Sequence, residues 1–263
     1  MSITVYTYND KVLKNADTDK WLKKYVDPYN PLGLPSGVFR IKVTPDTSSW
    51  LGAQTVTLVT GTTDVYDVQF TESNTTQWNK VMALEVLGAN TTGWTNGFAS
   101  MFEGCTSLTS VSLFDTSSAT NMYSMFSSCR NLTAIPLFDT SNVTTMSSML
   151  SNCQSLTSIP LFDTSNVTTM NSMLDGCTGI STIPDFNVSS VTSVPSVFQG
   201  CINVETGALN MYNKFVALGG QITNKGSTLL YGNSYPFTNC GRDTVTGAAE
   251  LAQIPSSWGG TAT

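Results

Sequence analysis

The 263-residue chain contains no histidine. That removes the commonest general base, the Ser-His and Cys-His nucleophile pairs and most transition-metal site designs. Charge is scarce too: Asp, Glu, Lys and Arg make up 11% of the residues, about half the usual share. Basic residues are the scarcer sign, 12 against 18 acidic, for a net charge of −6. This is the wrong sign for a nucleic-acid footprint, and no nucleic-acid partner is expected. No apolar run approaches the roughly 18 residues that span a bilayer, so membrane insertion is not expected either. The opening, Met1 to Lys20 (MSITVYTYNDKVLKNADTDK), lacks the basic and then apolar regions of a signal peptide and has no nearby lipidation cysteine. The expectation is a protein not exported by the general secretory route, or one that reaches the outside by another path. Phosphate-binding glycine loops are missing, as are paired carboxylates outside a repeated column. No enzyme, catalytic residue, cofactor or metal is expected.

Cysteine spacing shows what is there. Cys105, Cys129, Cys153, Cys177 and Cys201 stand 24 residues apart without a slip, and Cys240 falls outside the series. Fixed spacing means repeats. The same offset carries Leu108, Leu132, Leu156, Ile180 and Val204. It also carries Val111, Ile135, Ile159 and Ile183, then Phe114, Phe138, Phe162 and Phe186. Met122, Met146, Met170 and Val194, and Met101, Met125, Met149, Met173 and Val197, complete the frame. A degraded earlier copy begins near Val81 with Leu84 and Leu87 in register, which suggests about five to six units.

Within a unit, Leu132, Ile135 and Leu137 read as a short strand with Ile135 and Leu137 on one face, because side chains alternate with period two. Strands of successive units are expected to pair in parallel, about 4.8 Å apart. Asn142 to Cys153 mixes a helical stripe (Val143, Met146, Met149, Leu150, Cys153) with strand-like Val-Thr-Thr. It reads as an extended or irregular start closing in a helical turn. No unit alone could bury its apolar face, so stability would come from stacking neighbours.

The run Cys129 to Cys153, CRNLTAIPLFDTSNVTTMSSMLSNC, resembles BspA-type leucine-rich repeats and their relatives in mycoplasma-type surface lipoproteins. It shares the Cys-x-x-Leu opening and the Phe-Asp-Thr-Ser-Asn-Val-Thr phrase, and the Ser-Met-Phe-x-x-Cys close stands at Ser124 to Cys129, with Leu150 in place of Phe at the end of the run itself. The resemblance covers roughly Val81 to Val204. It implies surface or adhesion proteins without catalytic sites, and similar repeats occur in virion proteins of bacterial viruses of gut communities.

The fold expectation is α/β: a leucine-rich-repeat solenoid with a parallel β-sheet, a β-rich N-terminal cap and a helical C-terminal cap. Residues 1–37 read as an N-terminal docking segment, with a short helix over Asp17 to Val26 before Pro28, Pro31 and Pro35. Residues 38–80 form the β-rich cap through Val38 to Val43, Thr55 to Val59 and Val65 to Thr71. Residues 81–204 carry the repeats. Residues 205–263 form the C-terminal cap, with helices over Glu205 to Leu218 and Thr246 to Ile254. The last repeat decays, with Asp185 in place of an inward Leu. Charge is segregated: seven of the 12 basic residues lie in the first 42 positions. Met101 to Val204, by contrast, holds Arg130 alone against six acidic residues.

The repeated cysteines, Cys105, Cys129, Cys153, Cys177 and Cys201, admit three readings. Equivalent residues in adjacent units lie within disulfide reach, but five cannot all pair. A zinc site wants four ligands converging on a point where a column offers a line. A buried structural stack of small thiols is the reading preferred. Asp115, Asp139 and Asp163 could line a calcium row, but nothing matches a calcium-loop spacing. Holding the chain corner by accepting backbone N–H bonds two or three residues on is the reading preferred. Columns of threonine, Thr109, Thr133 and Thr157 with Ser181, and Thr120, Thr144, Thr168 and Thr192, are read as solvation of a charge-poor surface rather than ice binding. Of the 96 residues from Cys105 to Gly200, 36 are Ser or Thr, enough to replace charge as the wetting group. Pro136, Pro160 and Pro184 on outward strand positions remove ladder donors. Better binding candidates than the repeat face are loops near Trp50, Trp78 and Trp94, Tyr123, and the tail with Tyr231, Tyr235 and Trp258, although packing would use the same residues.

The function expected is a non-enzymatic bacteriophage virion protein, a head or tail appendage or fibre displaying the repeats for host-surface adhesion. The alternative is a BspA-type bacterial cell-surface adhesin. Its partners would be other virion proteins through the N-terminal segment and a host surface protein or glycan, with a homo-oligomer as a further option. It would reside in the virion, or alternatively at the cell surface.

Overall fold

The computed structural model describes residues 13–14, 21–22, 29–43, 55–60, 62, 64–69, 83–96, 98–226, 228–229 and 232–261. Two short strands, β1 (Leu13–Lys14) and β2 (Trp21–Leu22), pair antiparallel. Trp21–Leu22 is therefore strand where a helix over 17–26 was expected. Short helices are marginal without packing, so a pairing partner decides the conformation.

The N-terminal strands follow as expected: β3 (Val38–Val43), β4 (Thr55–Leu58) and β5 (Val65–Gln69). With β6 (Ala83–Ala89) and β7 (Ser110–Val111) they form a five-stranded sheet in the order β4-β5-β3-β6-β7. Period-two alternation places Phe39, Ile41, Val68 and Val86 in the core. The opposite side of β3 carries Arg40, whose Nε and Nη2 donate to Asp67 Oδ1 and Oδ2 at 2.7 and 2.8 Å. Lys42 reaches Glu85 at 3.5 Å. Strand β6 is the joint of the molecule: antiparallel to β3 on one side and parallel to β7, inside the first repeat, on the other.

Beyond β7 its column keeps one parallel bridge among the described residues, Thr182 with Thr206, while a second column carries single bridges, Asn121 with Thr145, Thr145 with Thr169 and Thr169 with Ser193. The proline column supplies a reason. Ser112 N–H donates to Val86 O at 2.8 Å and fastens β7 to β6. The residue 24 positions later is Pro136, then Pro160 and Pro184, so the equivalent donor is missing from every later unit.

Successive units bond instead through the segment that ends at the cysteine. The N–H groups of Met146, Ser148, Leu150 and Asn152 donate to the carbonyls of Thr169, Asn171, Met173 and Asp175 at 2.7–3.1 Å. The intervening N–H groups of Met149, Ser151 and Cys153 close local turns on Met146, Ser148 and Leu150. The expected helical close is thus a string of turns whose alternate donors serve the next unit. Backbone φ is positive at Ser100, Ser124, Ser148, Ser172 and Ser196, and again at Gly104, Ser128, Asn152, Gly176 and Gly200. The second series accounts for the Gly/Asn preference there, since those residues enter the left-handed region at least cost.

The apolar columns fill the interior: Met101, Met122, Met125, Met146, Met149, Met170 and Met173 are fully buried. Phe102 stacks on Phe126 with centroids 5.2 Å apart, and Phe114 lies 4.9 Å from Phe138.

Helices α1 (Ala208–Ala217) and α2 (Val245–Leu251) belong to the C-terminal region, as expected. Between them β8 (Thr228–Leu229) and β9 (Gly232–Asn233) make a small antiparallel pair. The last unit's donors, Val194, Ser196, Phe198 and Gly200, are met by the carbonyls of Asn224, Ser234, Pro236 and Thr238. Residues 234–240 therefore act as a further unit. Phe237 packs on Phe198 at 5.5 Å, Asn239 takes positive φ as Gly200 does, and Cys240 N–H closes on Phe237 O as Cys201 N–H closes on Phe198 O.

Candidate functional site: the columns of the repeat units

All six cysteines are free and buried. Each repeat thiol after the first donates to a carbonyl 27 residues earlier: Cys129 Sγ to Phe102 O, Cys153 to Phe126 O, Cys177 to Leu150 O and Cys201 to Leu174 O, at 3.0–3.1 Å. The column is thus a row of hydrogen-bonded thiols rather than purely apolar filler, a bond that 24-residue spacing alone does not reveal. Burial pushes Cys105 and Cys153 up to about 12 and raises Cys129, Cys177, Cys201 and Cys240 as well. Neutral buried thiols make poor nucleophiles. Cys240, off register in the sequence, is brought up to Cys201, whose carbonyl accepts from the next residue's N–H, that of Gly241, at 2.9 Å.

The aspartate column holds the corner. Asp115 Oδ1 accepts from Ser117 N and Oγ at 3.0 and 2.7 Å, Asp139 Oδ1 from Ser141 N and Oγ at 3.1 and 2.7 Å, and Asp163 Oδ1 from Ser165 N at 3.0 Å. The Ser165 bonds lower the Asp163 carboxyl below its usual range. Asn187 makes the same turn to Ser189 in the decayed unit. Beneath each corner a buried threonine, Thr91, Thr116, Thr140 or Thr164, donates to the carbonyl of Asp115, Asp139, Asp163 or Asn187 at 2.6–2.9 Å. Corner and neighbour are therefore tied together. Among the described residues, no group of three or more Cys, Asp or Glu side chains is arranged to hold a metal ion.

The outer hydroxyl columns are also spent on backbone. Thr144, Thr168 and Thr192 Oγ1 donate to the carbonyls of Thr120, Thr144 and Thr168 at 3.1–3.2 Å. Asn131, Asn142, Asn166 and Asn203 Nδ2 each bond a carbonyl 25 residues earlier. A rank of hydroxyls that bonds its own chain has less to offer an ordered lattice of water.

Two placements differ from the reading of the sequence. Leu137 and Leu161 are 60% exposed, while Ile135 and Ile159 are buried. The intervening proline lies between them, so the leucines point outward with Asp139 and Asp163 two residues on. Asp185, which occupies the leucine position in the last unit, is likewise outward. It receives Lys214 Nζ at 2.5 Å and Asn210 Nδ2 at 2.6 Å from α1. These bonds lower its carboxyl below the usual range. The decay is a docking point for the cap helix.

Asp175 was legible only in the structure. It stands where other units have Ser127 and Ser151, half-buried beside Cys177 and Cys201, and burial raises its carboxyl to about 6. Of the aromatic candidates, Trp94 is buried between Phe39 and Phe98. Trp258 stacks on Phe215 at 6.1 Å with Lys225 Nζ 5.0 Å over its ring. Tyr123 is 47% exposed. Trp50, Trp78 and Tyr231 lie outside the described residues.

Residues 96–212 match the model of a family described as Mycoplasma protein of unknown function, DUF285, the family of BspA-like repeat proteins. The match spans the repeated units and enters α1. No curated protein and no solved structure matches the chain.

Proposed function

We propose that the chain is a non-enzymatic display protein of a bacterial virus particle, a head or tail appendage whose 24-residue units form a leucine-rich-repeat solenoid used for adhesion to the host surface. The observation that carries this reading is the fate of the repeated polar groups. Cysteine, threonine and asparagine columns are spent on holding one unit to the next, and the aspartate column on the corner of its own unit. Such a body is a rigid spacer and surface, since its buried thiols are neutral and its carboxylates sit in a row rather than facing each other across a cleft. The family match supports the kind of repeat, and the surface role rests on the resemblance of the run Cys129 to Cys153 to BspA-type repeats. The N-terminal segment would join the particle and the repeats would face outward.

Peptide mass spectrometry on gradient-purified virus particles and on washed cell envelopes from the source culture tests this. Stoichiometric recovery in particles is the expected result. Recovery confined to envelopes overturns the virion assignment in favour of a cell-surface adhesin. Turnover of a glycan by the purified protein overturns the non-enzymatic one.

A further inference from the structure

The outward leucines lie in a two-row surface pattern. Leu137 and Leu161 are 60% exposed, flanked by half-buried Pro136, Pro160 and Pro184, with Leu113 at one end of the row only partly covered. Beside this apolar row runs the acidic one. Asp115, Asp139 and Asp163 each spend Oδ1 on the corner, and among the described residues Oδ2 of each has no partner. From Met101 to Val204 the one basic residue is Arg130. Consecutive exposed apolar residues rimmed by one sign of charge mark an interaction surface.

The complementary chemistry is carried by the chain itself. Residues 11–24, KVLKNADTDKWLKK, hold Lys11, Lys14, Lys20, Lys23 and Lys24 against Asp17 and Asp19, interleaved with Val12, Leu13, Trp21 and Leu22. We propose that the Leu137–Leu161 row and its flanking aspartates are the docking surface for residues 11–24 of a second copy of this chain. The contact joins two different patches. It is therefore heterologous: each copy offers both halves, and copies add head to side rather than closing as a two-fold pair. This inference does not rest on the virion assignment; it gives residues 11–24, part of the N-terminal segment, to a contact between copies rather than to the particle.

Sedimentation velocity on the full chain tests it. In about 50 mM salt the weight-average mass should rise with concentration, and in about 0.5 M salt it should fall, because screening acts on the charged half of the contact. The high-salt limit is the 28.2 kDa monomer. The double substitution Leu137→Ser with Leu161→Ser should weaken association roughly tenfold. The last unit already tolerates a polar residue there, Asp185, so folding is expected to survive, and an unchanged circular dichroism melt checks this. Lys11→Glu, Lys14→Glu, Lys23→Glu and Lys24→Glu together should weaken it likewise. Mixing the two variants should restore a complex limited to two chains, because each supplies the half the other lacks. A monomer at every concentration in low salt overturns the proposal. So does association that salt and both variants leave unchanged, or a mixture of the variants that stays monomeric.

Discussion

Replacing Asp175 by serine should stabilise the protein at neutral pH. Asp175 is a half-buried carboxylate whose pKa is raised from 3.8 to about 6 by desolvation. The residue is ionised at pH 7, so the native state carries a charge taken partly out of water beside the Cys177 and Cys201 thiols. A shift of this size corresponds to about 3 kcal/mol if read at face value. The carboxylate keeps substantial solvent contact, which screens it, and about 1 kcal/mol is the magnitude to expect. The sign follows from proton binding. Between pH 4 and pH 6, approximately, the native state holds a proton that the unfolded state has released. Stability contributed by this residue therefore falls as pH rises through that window and is level above it. Ser127 and Ser151 occupy the equivalent position in other units, so Asp175→Ser introduces a side chain the turn already accepts. Urea melts of both proteins at pH 4, 5, 6 and 7 should converge at the acid end and separate at pH 7 with the variant more stable. Parallel curves, or a variant less stable at pH 7, would refute the claim that desolvation governs this carboxyl.

The thiols, raised by burial, should label slowly with a thiol reagent in the folded protein and completely in denaturant without reductant; incomplete labelling in denaturant would reveal disulfides. Cys153→Ala should cost about 1–2 kcal/mol through a small cavity, and Cys153→Arg should prevent folding because a buried charge there has no partner; a near-native melt for the arginine variant would show the column to be accessible. Thr140→Val strips the hydroxyl that Asp163 O accepts at 2.8 Å and should cost about 1–2 kcal/mol, against less than about 0.5 kcal/mol for the exposed Thr144→Val; equal costs would mean that burial of the bond does not matter. Pro136→Ala restores an N–H where Ser112 has one, and its amide should be protected from hydrogen exchange if proline is what halts the parallel ladder; exchange at the free-peptide rate would refute that account.

The five-fold recurrence of Cys at 24-residue spacing, with Leu, Phe and Met columns at the same offset, was enough to locate the units, the buried columns and the two ends that differ from them. Period-two alternation likewise located β3, β4 and β5. These features are local or strictly periodic, so the linear order of residues contains them. The aspartate corners belong here too, because an Asx turn spans only two residues. What needed the folded chain were the bonds between non-equivalent positions. The 27-residue reach from Cys153 to Phe126 O depends on how one unit is offset against the next. So does the outward turn of Leu137, which a strand pattern would have buried and a proline instead redirects. Cys240 makes the same point most plainly: 39 residues beyond Cys201, it breaks the spacing, yet residues 234–240 receive the donors of the last unit and extend the column. A helix inserted between two repeat-like segments lengthens the chain between them without moving their ends apart, and only three-dimensional pairing identifies which later segment meets the open backbone donors.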